Sequence, residues 1–290
     1  MRLSLPSVLT LLLVSATAAA QDKHTLRYQL APGPTVWCQQ DQDMNMVMKM
    51  GEQEMKTSMQ TSTWMEGKVV GVKDGVASVE QKYARVKAKS SGMGGNSEYD
   101  SDVAGSKPGA MMRDLAKLVG KSATMQMDAT GKIVAVNVPA DVEAGLEKAG
   151  MSLKQTFEQS IMTWPQDPIA VGSTWVTEYD MPMGQMGKGK AKVTNKLVEV
   201  KDHVATVETT TELTVDATGM PPGLKLEVTK ATGSAKIDLR AAMPLEMVSD
   251  MEMKMVGGAD SPMNLSMTMR TTVKQVAAPA AKKADEAPKK

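Results

Sequence analysis

Residues 67–80 read Gly-Lys-Val-Val-Gly-Val-Lys-Asp-Gly-Val-Ala-Ser-Val-Glu, and residues 195–208 read Asn-Lys-Leu-Val-Glu-Val-Lys-Asp-His-Val-Ala-Thr-Val-Glu. Nine of the fourteen positions agree at an offset of 128 residues, the mark of a duplication within one chain. In the first copy, alternating valines flank Asp74-Gly75, a two-residue turn whose positive φ angles suit the twist of antiparallel strands. The second copy carries Asp202-His203 at the same place. Each copy therefore reads as a β-hairpin.

Working outward, a weaker match supports the duplication: Gly33-Pro-Thr-Val-Trp37 and Gly172-Ser-Thr-Trp175 each precede a strand pattern. Further strands are predicted at 122–128 and 132–138 around Ala129-Thr130-Gly131, then at 224–240, 244–256 and 263–276. Between the halves, Val142, Leu146, Ala149, Leu153, Phe157 and Ile161 fall at steps of three and four, the spacing of one helical face. A shorter helix is predicted from Pro108 to Val119, and the Ser- and Gly-rich stretch 90–107 reads as a mobile loop. The expected fold is mainly β, with two pseudo-symmetric antiparallel β-repeat units, half-barrel-like, joined by an α-helix. Its parts are a first repeat at 21–138, a helical connection at 139–164, a second repeat at 165–276 and a disordered tail at 277–290.

The first twenty residues carry Arg2, an apolar run from Val8 to Val14, and small residues ending at Ala20. That order predicts a secretory signal peptide cut before Gln21, with an apolar core too short to span a bilayer. The expected location is secreted or periplasmic, not membrane-spanning. Without Arg2 the chain holds 33 basic and 33 acidic residues, a balance that argues against nucleic acid as a partner. The single cysteine, Cys38, rules out an internal disulfide, so the fold must rest on its apolar core. Its register with the methionines of its strand predicts a buried, unreactive thiol.

The composition is unusual in one respect: 27 methionines accompany a single Phe, four Trp and four Tyr. Met44, Met46, Met48 and Met50 alternate with Asp43, Asn45, Val47 and Lys49, and Met247, Met251, Met253 and Met255 alternate with mostly polar residues. Met263, Leu265, Met267 and Met269 repeat the pattern. A strand sends successive side chains to opposite faces, so each stretch has one methionine face and one polar face. The plainest consequence is burial of Met46, Met48, Met253 and Met267 in a core, with Asn45, Glu252 and Thr268 exposed. A Met-lined concave interior would also accept a hydrophobic small molecule or lipid, with Met44, Met46, Met48, Met50, Met251, Met253, Met255 and Met267 as the binding residues. The alternative is Cu(I) binding or oxidant buffering by thioethers, for which Met181, Met183 and Met186 in a glycine-containing turn are the candidate ligands.

Catalytic motifs are scarce. Asp41-Gln-Asp43-Met-Asn45 with Glu52 imitates a calcium loop, but Met46 stands where such a loop needs Gly. Gly184 to Lys190 imitates a phosphate loop, but Ala191 replaces the magnesium-binding hydroxyl. With only His24 and His203, the usual bases and zinc ligands are nearly lacking, so no catalytic residue and no cofactor is assigned. The expected function is binding rather than catalysis, with a hydrolase third in order and the protein partner open.

The junction Trp164-Pro-Gln-Asp-Pro-Ile-Ala-Val-Gly-Ser-Thr-Trp175 resembles a family of uncharacterised exported bacterial proteins, which share a Pro-x-x-Pro-x-x-Val-Gly-x-x-Trp junction between two β repeats. The resemblance implies an extracytoplasmic protein and carries no functional residues. By looser analogy, the expected shape is similar to the periplasmic half-barrels that carry lipids or lipoproteins.

Overall fold

The computed structural model describes residues 22–92, 95–109, 112–138, 143, 153–182, 188–216, 225–241, 243–257 and 263–279. In chain order the elements are β1 (Lys23–His24), β2 (Val36–Met50), β3 (Gln53–Lys73), β4 (Val76–Ser91), β5 (Ser97–Asp100), α1 (Arg113–Lys117), β6 (Ser122–Asp128) and β7 (Ile133–Asn137). They continue with α2 (Leu153–Ser160), β8 (Ile169–Ala170), β9 (Thr174–Pro182), β10 (Lys188–Lys201), β11 (Val204–Asp216), β12 (Lys225–Asp238), β13 (Glu246–Val256) and β14 (Met263–Val276). The fold is mainly β, as the alternation predicts.

Apart from the short β1–β8 pair, the strands form one open antiparallel sheet in the order β7-β6-β4-β3-β2-β14-β13-β12-β11-β10-β9, with β5 also on β4. The two halves join where β14 pairs with β2 along fourteen residues, from Met263 opposite Met50 to Val276 opposite Trp37. The repeats thus share a single sheet.

The duplication is visible at the level of individual backbone angles. Asp74 and Gly75 have φ of 51° and 77°, and Asp202 and His203 have 49° and 69°, the positive pair that the predicted hairpin turn requires. Each hairpin has a bulge at the same offset, between Val69 and Gly71 in β3 and between Leu197 and Glu199 in β10. The extra residue in each case, Val70 and Val198, points outward, while Val69, Leu197, Val79 and Val207 are buried. The weaker match agrees with the register when its glycines are aligned: Val36 pairs with Gly67 and Trp175 with Asn195, so the residue matching Trp175 is Val36.

Two expectations of local structure are corrected. The stretch 90–107 contains β5, because β6 pairs only with Val76 to Lys82 of β4 and leaves Lys87 to Ser90 with an open edge that Ser97 to Asp100 occupies. Among the described residues, the helix expected from Pro108 to Val119 spans Arg113–Lys117. Residues 1–20, most of 139–152 and 280–290 lie outside the described residues, so the structure describes only the α2 part of the expected connecting helix.

The core lies on one face of the sheet, at the end where the hairpin turns meet. Phe157, Ile161 and Trp164 from α2 and the segment after it pack there against Met125 and Met127 of the first half and Leu197, Val207 and Ile237 of the second. The N-terminal segment clasps both halves: Tyr28 N donates to Ala129 O at 2.8 Å and Gln29 N to Leu239 O at 2.7 Å. Ala129 and Leu239 each follow an aspartate, Asp128 and Asp238, whose carboxylate accepts a hydrogen bond from the backbone N–H two residues on. The Trp164 ring then sits between Tyr28 and Trp175, with centroids 6.1 Å and 5.8 Å away. Among the described residues, no helix is long and apolar enough to cross a membrane.

Leu197 and Val198 are neighbours in sequence but point to opposite faces of the bulge. Leu197→Ala is expected to destabilise by about 2–5 kcal/mol in urea unfolding, whereas Val198→Ala is expected to stay within about 0.5 kcal/mol.

Candidate functional site

Residues that pair across antiparallel strands lie on the same face, so register assigns the whole sheet. On the face that carries α2, β2 presents Cys38, Gln40, Gln42, Met44, Met46, Met48 and Met50, and β14 presents the odd-numbered residues from Met263 to Gln275. Extending the register through β3, β13, β12, β11, β10 and β9 gives only apolar, hydroxyl or amide side chains. No charged residue of these strands lies on that face.

The opposite face carries the charges. Arg270 bonds Asp250 at 3.0 Å, Lys236 meets Glu246 at 3.5 Å, Lys196 meets Glu208 at 3.7 Å, and Gln60 donates to Asp43 at 3.0 Å. Asp41 and Asp43 of the calcium-like motif belong to this outer, paired face, where Asp41 accepts from Ser62 at 2.6 Å. The exposed pairs contribute little stability each. They do place solvent on that side.

On the inner face the methionines form ordered rows. Met59, Met44, Met269 and Met251 are paired in succession across β3, β2, β14 and β13. Met46, Met267 and Met253 make the next row, and Met55, Met48, Leu265 and Met255 the one after. Seven of the eight ligand-candidate methionines thus share one patch, and Met50 extends it at the end of β2 opposite Met263.

The depth of this patch differs from the expectation. Asn45, Glu252 and Thr268 are exposed, but Met46, Met48, Met253 and Met267 are half-buried, Met50 is 52% exposed and only Met255 is buried. The reason is coverage: α2 and the N-terminal segment pack over the other end of the same face, on Met65, Met125, Met127 and Met243. The rows form an apolar floor open to one side. Of the copper candidates, Met181 lies in the edge strand β9 opposite Gly189, while Met183 and Met186 lie outside the described residues.

Where the floor meets α2, two cavities flank the helix. One of about 70 Å³ lies against Met65, Tyr83, Phe157, Met243 and Val273. The other, about 210 Å³, is lined by Met247, Ile237, Tyr179, Asn195, Thr209 and Thr211, among others. Neither has a charged residue in its lining. Met65, Met243 and Met247 line this enclosed part without belonging to the candidate set. Met247 was recoverable from its alternation, whereas Met65 and Met243 lie outside any methionine stripe.

The ionisable groups on this face are held neutral. Burial pushes the Cys38 thiol up to about 12 and raises the Tyr83 and Tyr179 phenols above their ordinary range. Cys38 is fully buried and contacts Pro244 O at 3.7 Å, as its register predicted. Among the described residues, no group of three or more His, Cys, Asp or Glu could hold a metal ion.

The profile of a family of unknown function, DUF6263, matches residues 74–149 and 147–277. No curated protein sequence matches the chain. Among solved structures, one concerning lipid–protein interactions in lipovitellin superposes at a TM-score of 0.50 with 14% identity, covering 88% of this chain. The chain spans about a quarter, 26%, of that lipovitellin chain, and the likeness is one of fold. DynF from the dynemicin biosynthesis pathway of Micromonospora chersina matches at 8% identity over 90% of this chain and 88% of its own, with a TM-score of 0.23.

Two outcomes follow from this geometry. Met125→Ala is expected to destabilise by about 2–5 kcal/mol and Met46→Ala by about 1 kcal/mol in urea unfolding, because only the first opens a cavity in packed core. Cys38 is expected to resist iodoacetamide in the folded protein and react in denaturant. Because its folded pKa lies above the unfolded one, the thiol's stabilising contribution is full below the unfolded value near 9 and lost as pH rises toward 12.

Proposed function

We propose, for a chain that belongs to DUF6263, a family of unknown function, that the charge-free face of the sheet holds a hydrophobic ligand such as a lipid. The observation that carries this reading is the uncharged face of the described strands, on which three cross-strand rows, methionine but for Leu265 and half-exposed but for Met255, lie beside the cavities that flank α2. Flexible thioether side chains adapt to apolar shapes, so such a floor suits a chain-like ligand. A rigid enclosed pocket would be built differently.

The fold likeness to lipovitellin, a structure described for its lipid–protein interactions, supports the same class of ligand. Catalysis is not part of the proposal. The thiol and phenols on this face are kept protonated by burial, which removes them as nucleophiles or bases near neutral pH. The leader-like residues 1–20 support a role outside the cytoplasm.

An apolar fluorescent probe tests the reading. The protein is expected to enhance the probe's emission, and Met46→Lys or Met253→Lys is expected to abolish the enhancement while thermal unfolding shows a folded protein. Retained enhancement in both variants would move binding away from the methionine floor.

A further inference from the structure

One row of the inner face is neither core nor methionine floor. Thr61 pairs with Gln42, Gln42 with Thr271, Thr271 with Ser249, Ser249 with Gly233, Gly233 with Thr209, and Thr209 with Asn195. This belt crosses seven strands, and every member except Gly233 carries a neutral hydrogen-bonding side chain. On its packed side lie Val273, Met247, Val207 and Leu197. On its open side begins the methionine row Met59, Met44, Met269 and Met251.

The belt is rigid where it enters the larger cavity. Asn195 is 2% exposed, and its amide nitrogen lies 3.2 Å from Thr177 Oγ1 and 3.4 Å from Val193 O. A Cβ at Gly233 would fall 2.8 Å from both Thr209 Oγ1 and Val248 O, so glycine is what lets the Thr209 hydroxyl approach β12. Asn195, Thr209, Thr211, Ser249 and Tyr179 line the cavity of about 210 Å³. Along β13 the inner positions then run Ser249, Met251, Met253, Met255, a span of roughly 20 Å at the usual rise of a strand.

We infer that the ligand is a neutral amphiphile, its uncharged hydroxyl- or ester-bearing head in this cavity and its hydrocarbon chain laid over the methionine rows. The inference rests on the function proposed above and adds the ligand's head-group class and orientation. The cavity accepts a head of a few heavy atoms but not a whole acyl lipid, which needs several hundred cubic ångströms. The chain must therefore lie on the floor. A carboxylate or phosphate in the cavity would lose its water, and among the described residues the cavity lining and the strands of this face offer no Lys or Arg to replace it. Hydroxyl and carbonyl groups can instead exchange water for Thr209, Thr211, Ser249 and the Tyr179 hydroxyl.

Displacement of the apolar probe by 1-monomyristoylglycerol, tetradecanol and sodium myristate at pH 9 tests this with chains of equal length. The glyceride and the alcohol are expected to displace the probe at concentrations about tenfold or more below myristate. In Thr209→Val/Thr211→Val, which keeps side-chain shape, that preference is expected to vanish in protein that thermal unfolding shows to be folded. Equal or tighter binding of myristate, as a tail-first amphiphile with its charge at the open rim would give, overturns the inference and leaves the apolar floor standing. So does a preference that survives the double substitution. Lack of probe uptake by the unsubstituted protein overturns both readings.

Discussion

The pairing of β14 with β2 is the constraint on which the rest depends. Fourteen consecutive residues of the last strand lie beside the first long strand, and this contact turns two copies of a β repeat into one sheet. Its cooperativity comes from matched alternation: methionines, valine and uncharged polar residues of both strands face inward together, while Asp43 and Arg270 face outward together. A slip of one residue would turn the methionines of β14 toward solvent and Arg270 toward the core. The register is therefore set by burial as well as by backbone hydrogen bonds.

That join also explains why the methionine floor lies where it does. The rows cross β3, β2, β14 and β13, so they straddle the seam between the repeats, and neither repeat contains them alone. At the opposite end of the same face the N-terminal segment and the segment after α2 bind the equivalent turns after Asp128 and Asp238, holding both halves over Phe157 and Trp164. One end is thus packed by the connector between the repeats. The other keeps a half-exposed apolar surface because, among the described residues, the covering segments do not reach it.

Much of this was legible locally. The nine-of-fourteen match, the Asp-Gly and Asp-His turns and the period-two methionines specify hairpins, sidedness and duplication, because turn chemistry and strand alternation depend on residues close together in the chain. The weaker match shows what register adds: Gly33-Pro-Thr-Val-Trp37 and Gly172-Ser-Thr-Trp175 both end in Trp, but strand pairing makes Val36 the counterpart of Trp175. Likewise β5 reads as loop in the sequence, since nothing in Ser97 to Asp100 announces the unpaired edge of β4 that it fills.

By itself, then, the sequence determined which residues share a face, that the fold is mainly β, and that its units are repeated. Tertiary structure alone decided depth and neighbours. Met46 and Met125 have the same side chain on the same kind of strand, but one is half-exposed and the other buried because, among the described residues, α2 and the segment after it cover only one end of the sheet. The neutral belt from Thr61 to Asn195 is invisible in the chain order. Its members are single polar residues on separate strands, brought into one row by pairings between segments far apart in sequence. Alternation is a property of one strand, whereas a row belongs to the register among many.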